Sequence, residues 1–534
     1  MNRLVFRALA AVAALAIDTL AAPTVGAQSA AVSADRPTLV VFFTIDQMIP
    51  DYFARYGREF TGGLRRLQRG GVLYVNGFQD HATTETAPGH ASTLSGRFPL
   101  HTGIVRNNAG VNDRDHPLLG GGGAGASPFR FQGTTLTDWL TAGDPRSRTL
   151  SVSRKDRGAI LPVGRSKQSV FWYADGRFTT SSWYGDTLPA WLTGFNARRL
   201  PHRMAGTAWD LLRPASTYVE RDSQPVESGG RDFMFPHPLP ADTLPAVRAL
   251  VDDPRMDWVT LQAAMAGVDA MALGKGPSTD VLAISLSTTD AVGHRYGPGS
   301  REIHDQLLRL DRYMGQFLDS LFRVRDSSRI VIALTADHGV QPFPELHFAG
   351  QPNAVLRVNV EPVLAAARGA LGARGLDTAT ALDFEYGMLF ADSMAFRRAN
   401  IPLDSVLRGL AVTFRKVPGV ARVDLRRDLA RADTVRDAVA RRWLHALPPA
   451  LPVVLLVSPK PNVYWQGVTY ATHGSPNDRD ARVPILFYGP GFARGVSRSR
   501  MVRVVDIAPT LARRIGVTPM ESLDGVVLRD AFRP

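Results

Sequence analysis

The first long apolar run of the chain, TLVVFFTI at positions 38–45, is unbroken at strand length and ends on Asp46. Hydrophobicity on both faces suits a central strand of a parallel sheet with helices above and below, since a strand with one wet face would alternate. Residues 281–286 and 329–335 have the same character, and acidic and histidine side chains follow each within a few positions. A fourth run, 483–488, lies just after His473. Between the runs the period changes. Leu307, Leu308, Leu310, Met314, Phe317 and Leu321 make one stripe along 303–323, which predicts an amphipathic helix. Strands alternating with helices predict an α/β fold, a doubly wound and mostly parallel central sheet with helices on both faces. Ligands of such sheets bind at the carboxyl ends of the strands, where the polar residues sit.

Two regions interrupt this pattern. Residues 120–127 (GGGGAGAS) read as a flexible surface loop. Residues 355–450 carry short amphipathic segments and no metal-type constellation, which predicts a smaller inserted α+β subdomain. The core then divides into 28–354 and 451–534. At the N-terminus, Arg3 and Arg7 precede an alanine-rich apolar run over 8–22 and the small residues Val25, Gly26 and Ala27. This predicts a signal peptide over 1–27, cleaved before Gln28, and a periplasmic or secreted protein; retention as an anchor is the alternative. The run is too short to span a bilayer comfortably and Asp18 interrupts it. No later segment approaches the ~20 uninterrupted apolar residues of a spanning helix, so no stable membrane insertion is expected.

Composition removes several chemistries. The 534 residues contain no cysteine, which excludes disulfides, thiolate metal sites and cysteine nucleophiles. The formal charge is +13, yet only five of the 62 basic residues are lysine and the arginines are spread along the chain. A nucleic-acid surface would cluster them among aromatics, so nucleic acid is not expected as the main partner.

The chemistry concentrates at the predicted strand ends, in Asp46, Asp290, His294, Asp337, His338 and His473. Asp290 and His294 stand four apart, a spacing that lets both meet one ion from a helical turn. Asp337 and His338 are adjacent and would face opposite ways in a strand, so both reach a site only where the strand breaks; Gly339 permits the break. Aspartate with imidazole and no thiolate suits Zn²⁺, with Mn²⁺ or Fe as alternatives. In TTETAPGHASTLSG at 83–96, Pro88 and Gly89 open a turn into a helix, and Thr86 just before it aims a hydroxyl at a helix N-terminus. A threonine hydroxyl is a poor nucleophile until a metal or base activates it. The metal cluster supplies that activation.

Asp46 after the first strand, Thr86-x-Pro-Gly-His, Asp290-x-x-x-His294, Asp337-His338-Gly and Thr472-His473-Gly occur in this order in the alkaline phosphatase superfamily. The chain resembles its threonine-nucleophile branch, which includes the nucleotide pyrophosphatase/phosphodiesterases. The likeness runs from about residue 37 to the VVDIAPT segment at 504–510. The sulfatase branch needs a modified Cys or Ser, and Thr86 stands in that position here. Arg106-Asn107-Asn108, the SRKDRGAI segment at 153–160, and residues 178–183 and 188–191 are most similar to the monomeric PafA-type alkaline phosphatases. That resemblance implies two Zn²⁺ per chain. Asp290, His294 and His473 would take one. Asp46, Asp337 and His338 would take the other, with the Thr86 oxygen as fourth ligand. Thr86 would attack phosphorus to form a phosphothreonine, and Asn107, Lys155 and Arg157 would bind the phosphoryl oxygens.

A charge count separates monoester from diester. Two divalent ions are balanced by three aspartates and a threonine alkoxide, leaving the centre near neutral. A monoester brings a charge close to −2, because its second pKa is about 6. Lys155 and Arg157 oppose it with two positive charges, and Asn107 adds a neutral donor. A diester carries about one negative charge and an extra apolar group, which would favour an apolar wall. Small phosphate monoesters are therefore the expected substrates and a monomer the expected state. A phosphodiesterase or nucleotide pyrophosphatase is the first alternative, and a metal-dependent binding or structural protein the second.

Overall fold

The computed structural model describes residues 36–121 and 123–533. The segment expected to be a signal peptide, 1–27, lies outside the described residues. The four apolar runs form the middle of a ten-stranded sheet. From one edge its order is Val496–Arg498, Gly71–Phe78, Arg482–Tyr488, Ile330–Thr335, Leu39–Ile45, Asp280–Leu286, Thr149–Ser153, Ser169–Ala174 and Arg177–Thr179, with Val502–Arg503 pairing beside Gly71–Phe78. Leu39–Ile45 is parallel to both neighbours, and its residues are buried throughout. The register sets Thr44 opposite both Ser285 and Thr335, so three parallel strands end at one level.

Arg482–Tyr488 has the same apolar character but runs antiparallel to Ile330–Thr335 and to Gly71–Phe78. It begins at the edge where the parallel strands finish. The loop that precedes it therefore carries His473 to the carboxyl edge, although His473 follows no strand of this sheet.

The predicted amphipathic helix spans Arg301–Val324, with Ser300 accepting from the Ile303 N–H as N-cap and the Leu307–Leu321 stripe buried. Of the glycine-rich segment, Gly120, Gly121, Gly123 and Ala124 are exposed, whereas residues 125–127 are buried.

A second, antiparallel sheet has the order Leu382–Glu385, Met388–Ala391, Val453–Pro459, Val420–Leu425. Leu364, Phe396, Leu407, Phe414, Leu455 and Val457 belong to its own hydrophobic cluster. The helix Glu361–Gly372 supplies Leu364, and Leu403–Phe414 supplies Leu407 and Phe414. Among the described residues no helix is long and apolar enough to cross a membrane.

Candidate active site

Asp46 leaves the end of Leu39–Ile45, and Asp337 follows Ile330–Thr335 after one residue. Asp290 and His294 lie on the helix Thr288–Tyr296 that leaves the third parallel strand, and the four-residue spacing brings His294 Nε2 to 3.2 Å from Asp290 Oδ1. Lys155 comes from the end of the adjoining strand Thr149–Ser153, at the N-cap of the short helix Asp156–Ile160. The break after Asp337 depends on Gly339 for a reason the sequence does not display. A Cβ there would stand 2.1 Å from the Arg479 carbonyl oxygen. Close backbone approach, rather than a left-handed conformation, demands the glycine.

Thr86 opens the buried helix Thr86–Thr93, with Glu85 as its N-cap residue. Pro88 falls in the first turn, where its missing N–H costs no helical bond. Gly89 packs so tightly that a Cβ would stand 2.0 Å from the Asp337 carbonyl oxygen, which clamps this helix onto the Asp337–His338 segment. Thr86 Oγ1 lies 3.5 Å from His338 Nε2.

The three expected histidines share one arrangement. His294 Nδ1 meets the Ala471 carbonyl, His473 Nδ1 the Thr84 carbonyl at 2.7 Å, and His338 Nδ1 the Gly339 carbonyl at 3.0 Å. A carbonyl only accepts, so each ring donates from Nδ1 and turns Nε2 inward as the available ligand atom. Burial, then His338 and His294 nearby, hold His473 well below the ordinary histidine range. Burial also works against charge on His338, but Asp337 and Asp290 beside it lift that ring to about 9.

Among the described residues two candidate metal-binding groups are present, Asp290–His294–His473 and Asp46–His90–Asp337. In the first, His294 Nε2 and His473 Nε2 are 3.2 Å apart. Ligands on a tetrahedral Zn²⁺ with bonds near 2.05 Å stand about 3.3 Å from one another, so these donors fit that ion. In the second, Asp337 Oδ2 is buried without a hydrogen bond, as a metal-ligand oxygen would be, and Asp46 Oδ2, also without one, faces the Lys155 ammonium at 2.8 Å.

Sequence reasoning assigned no role to His90, although it closes the Thr86-x-Pro-Gly-His motif. Its Nδ1 is 2.9 Å from the Thr86 carbonyl oxygen and its Nε2 3.1 Å from Ser285 Oγ. With both nitrogens engaged, His90 braces the helix Thr86–Thr93 against Asp46 and Asp337, each 3.4 Å away. His338 lies between the two groups, its Nε2 3.3 Å from Asp337 Oδ2 and 3.8 Å from Asp290 Oδ1. Gln47 was also missed. Its backbone N–H donates to Asp337 Oδ1 at 3.0 Å and its side chain to Asp290 Oδ1 at 2.9 Å, at a φ of 64°.

Lys155 Nζ donates to Asp290 Oδ2 at 2.6 Å and lies 2.8 Å from Asp46 Oδ2. Burial opposes ionisation of both carboxylates, but Lys155, with His90 for Asp46 and His294 for Asp290, holds each well below the usual range. Arg157 is half-buried, its Nη1 3.6 Å from Asp156 Oδ1 and its Nε without a hydrogen bond. Asn107 Oδ1 accepts from the Ala87 N–H at 2.8 Å, and its own N–H donates to Glu85 Oε2 at 2.6 Å. Burial pushes the Glu85 carboxyl up.

Residues 40–384 match the family described as type I phosphodiesterase / nucleotide pyrophosphatase. The chain is 30% identical over 528 residues to alkaline phosphatase PhoV of Synechococcus elongatus, covering 93% of each protein. It is 31% identical over 540 residues to alkaline phosphatase PhoK of a Sphingomonas species, covering 92% of this chain and 91% of that one. The crystal structure of wild-type alkaline phosphatase PafA matches with a TM-score of 0.85 at 26% identity, over 93% of this chain and 99% of that chain. The likeness to PafA-type enzymes inferred from the motifs therefore extends through the fold.

Proposed function

The chain belongs to the type I phosphodiesterase / nucleotide pyrophosphatase family, and from the site residues and the likeness to alkaline phosphatases within it we propose that it is an exported, monomeric phosphatase that hydrolyses small phosphate monoesters through a phosphothreonine at Thr86. Asp290, His294 and His473 would hold one Zn²⁺, and Asp46, Asp337, His338 and the Thr86 oxygen a second. Zn²⁺ bound there supplies Lewis-acid charge for the attacking and leaving oxygens of an in-line displacement. The insertion expected over 355–450, whose sheet also takes in Val453–Pro459, belongs to this reading as a subdomain outside the metal-ligand set.

The chain's own residues do the rest. Thr86 Oγ1 forms the bond to phosphorus as the ester P–O bond breaks and the alcohol departs; water then hydrolyses the phosphothreonine, releasing phosphate and restoring the hydroxyl. Asn107 has committed its Oδ1 to the Ala87 N–H, so the group it offers a phosphoryl oxygen is its NH₂. Lys155 has three N–H donors; it gives one to Asp290 and faces Asp46 Oδ2 at 2.8 Å, which leaves one for the substrate. Arg157 Nε is likewise without a hydrogen bond. A loose transition state puts charge on the non-bridging oxygens, which is where these donors act.

The observation that carries this reading is Thr86 at the first position of a buried helix, its Oγ1 3.5 Å from His338 Nε2 beside two metal-type groups. The three alkaline phosphatases named above favour a monoester over the diester in the family's description. The test is rapid acid quench of the zinc-loaded protein with a labelled aryl monophosphate, beside parallel rates on an aryl phosphodiester. Label on Thr86 with a faster monoester rate is the expected result. A faster diester rate makes the phosphodiesterase reading the correct one, and no phosphate release from either ester leaves only a metal-binding protein.

A further inference from the structure

The segment Arg106–Asn107–Asn108 is held from two sides. Asn107 faces the nucleophile's helix, through Ala87 and Glu85. Its two neighbours face the second sheet, where Arg106 pairs with Glu385 Oε2 and the Asn108 side chain donates to Glu385 Oε1. One carboxylate thus takes up the residues on either side of Asn107. Arg106 is gripped from a second direction, since its guanidinium carbon lies 5.0 Å from the centre of the Phe390 ring.

Both partners belong to one hairpin, Leu382–Glu385 with Met388–Ala391, in which Glu385 is opposite Met388. The two-residue connection, Tyr386 and Gly387, has φ of 45° and 84°. Positive values at both positions are what a tight hairpin matched to strand twist requires, and they fix the register that presents Glu385. A Cβ on Gly387 would stand 2.4 Å from the Val457 carbonyl oxygen, so the turn is seated directly on the central strand of the second sheet.

We infer that Glu385 is a positioning residue for Asn107, so that the second sheet sets where the phosphate-binding amide stands relative to Thr86. The inference rests on the reading of Asn107 as a phosphoryl ligand given above. Glu385 touches no reacting group in this account. It acts by holding both flanks of a three-residue segment whose centre is tied to the helix N-terminus by single hydrogen bonds. Such a bond constrains distance, whereas two anchors on either side also constrain rotation. A small displacement of an oriented donor is enough to lose much of its effect on a transition state.

The experiment compares wild type, Glu385→Ala, Glu385→Gln, Asn107→Ala and the double variant Glu385→Ala/Asn107→Ala, each as the full zinc-loaded enzyme with metal content and Tm recorded. Readouts are kcat/KM for an aryl monophosphate and the inhibition constant for inorganic phosphate. Glu385→Ala should lower kcat/KM roughly tenfold (about 1.4 kcal/mol) and weaken phosphate inhibition by a similar factor, with zinc content unchanged. Glu385→Gln keeps the shape but a single acceptor oxygen, so it can still hold Arg106 while Asn108 must turn its amide; it should keep more of the rate than Glu385→Ala at wild-type Tm, which separates positioning from misfolding. In the Asn107→Ala background the loss from Glu385→Ala should shrink to less than about twofold, because no donor is left to misplace. A full tenfold loss in that background, or no loss in the single variant, overturns the role of Glu385 and leaves the site reading intact. If Asn107→Ala itself leaves the rate unchanged, the phosphoryl-ligand reading of Asn107 falls, and this inference falls with it.

Discussion

Lys155 Nζ donates to Asp290 Oδ2 at 2.6 Å, and the same ammonium is 2.8 Å from Asp46 Oδ2. A single lysine, in a chain whose basic residues are nearly all arginine, thus joins a carboxylate from each of the two metal-type groups. Its compact charge suits that position better than a planar guanidinium, which would need a wider gap.

Removing this charge tests the choice of substrate. In the proposed reading, Lys155→Ala and Arg157→Ala each delete a charged donor to the phosphoryl group, a contribution of roughly 1.5–3 kcal/mol. Monoester kcat/KM should fall about ten- to a hundredfold for each. The diester rate should fall less, since a diester brings one fewer negative charge. Elemental analysis should find bound zinc undiminished in Lys155→Ala, which removes a cation competing for Asp46 and Asp290. Equal losses on both substrates would overturn the charge argument for monoesters.

Metal removal should abolish activity, and Zn²⁺ should restore it better than Mg²⁺, because imidazole-rich sites favour the softer ion. Asp290→Ala and His473→Ala should each deplete the same metal equivalent, and Asp337→Ala the other. Full activity after exhaustive dialysis against a strong chelator contradicts the two-metal reading.

Thr86→Ala should lose several orders of magnitude in turnover with Tm within a few degrees of wild type, since the hydroxyl's proposed work is chemical. Thr86→Ser should keep part of the rate. Mass spectrometry of acid-quenched wild type should find phosphate on Thr86, and phosphate on another residue would move the nucleophile elsewhere.

A stability effect is expected away from the site. Burial, with Glu302 and Asp222 nearby, pushes the Glu227 carboxyl from 4.5 up to about 9. A raised acid keeps its proton in the folded state while the unfolded chain releases it, so stability present at low pH is lost as pH climbs from about 4.5 through about 9. Glu227→Gln imitates the neutral form. Its Tm should overtake that of wild type as pH rises toward 9, by a few degrees at roughly 2 °C per kcal/mol for larger domains. Parallel Tm-versus-pH curves for the two proteins would show that another group titrates.

Much of this molecule was legible in the order of its residues because the relevant signals are local. An unbroken apolar run reads as a covered parallel strand, the stripe over 303–323 reads as a helix, and Asp290 four residues before His294 reads as one face of a turn. The motif order then drew on many positions at once, which is why the family could be recognised. His90 left a fainter trace, its spacing of four from Thr86 within a helix. Gln47 and Glu385 left none, because a single polar residue beside a strand or in a hairpin has no period to betray it.

The sequence by itself determined the α/β class, the long helix and the set of aspartates and histidines, since each depends on neighbours within a few positions. Tertiary structure alone decided that Arg482–Tyr488 runs antiparallel and so returns His473 to the site edge. It alone set Lys155 between Asp46 and Asp290, and Glu385 against both flanks of Asn107. These relationships join residues 109 to 279 positions apart, and their geometry depends on strand direction, register and close backbone approach, none of which a residue's sequence neighbours encode.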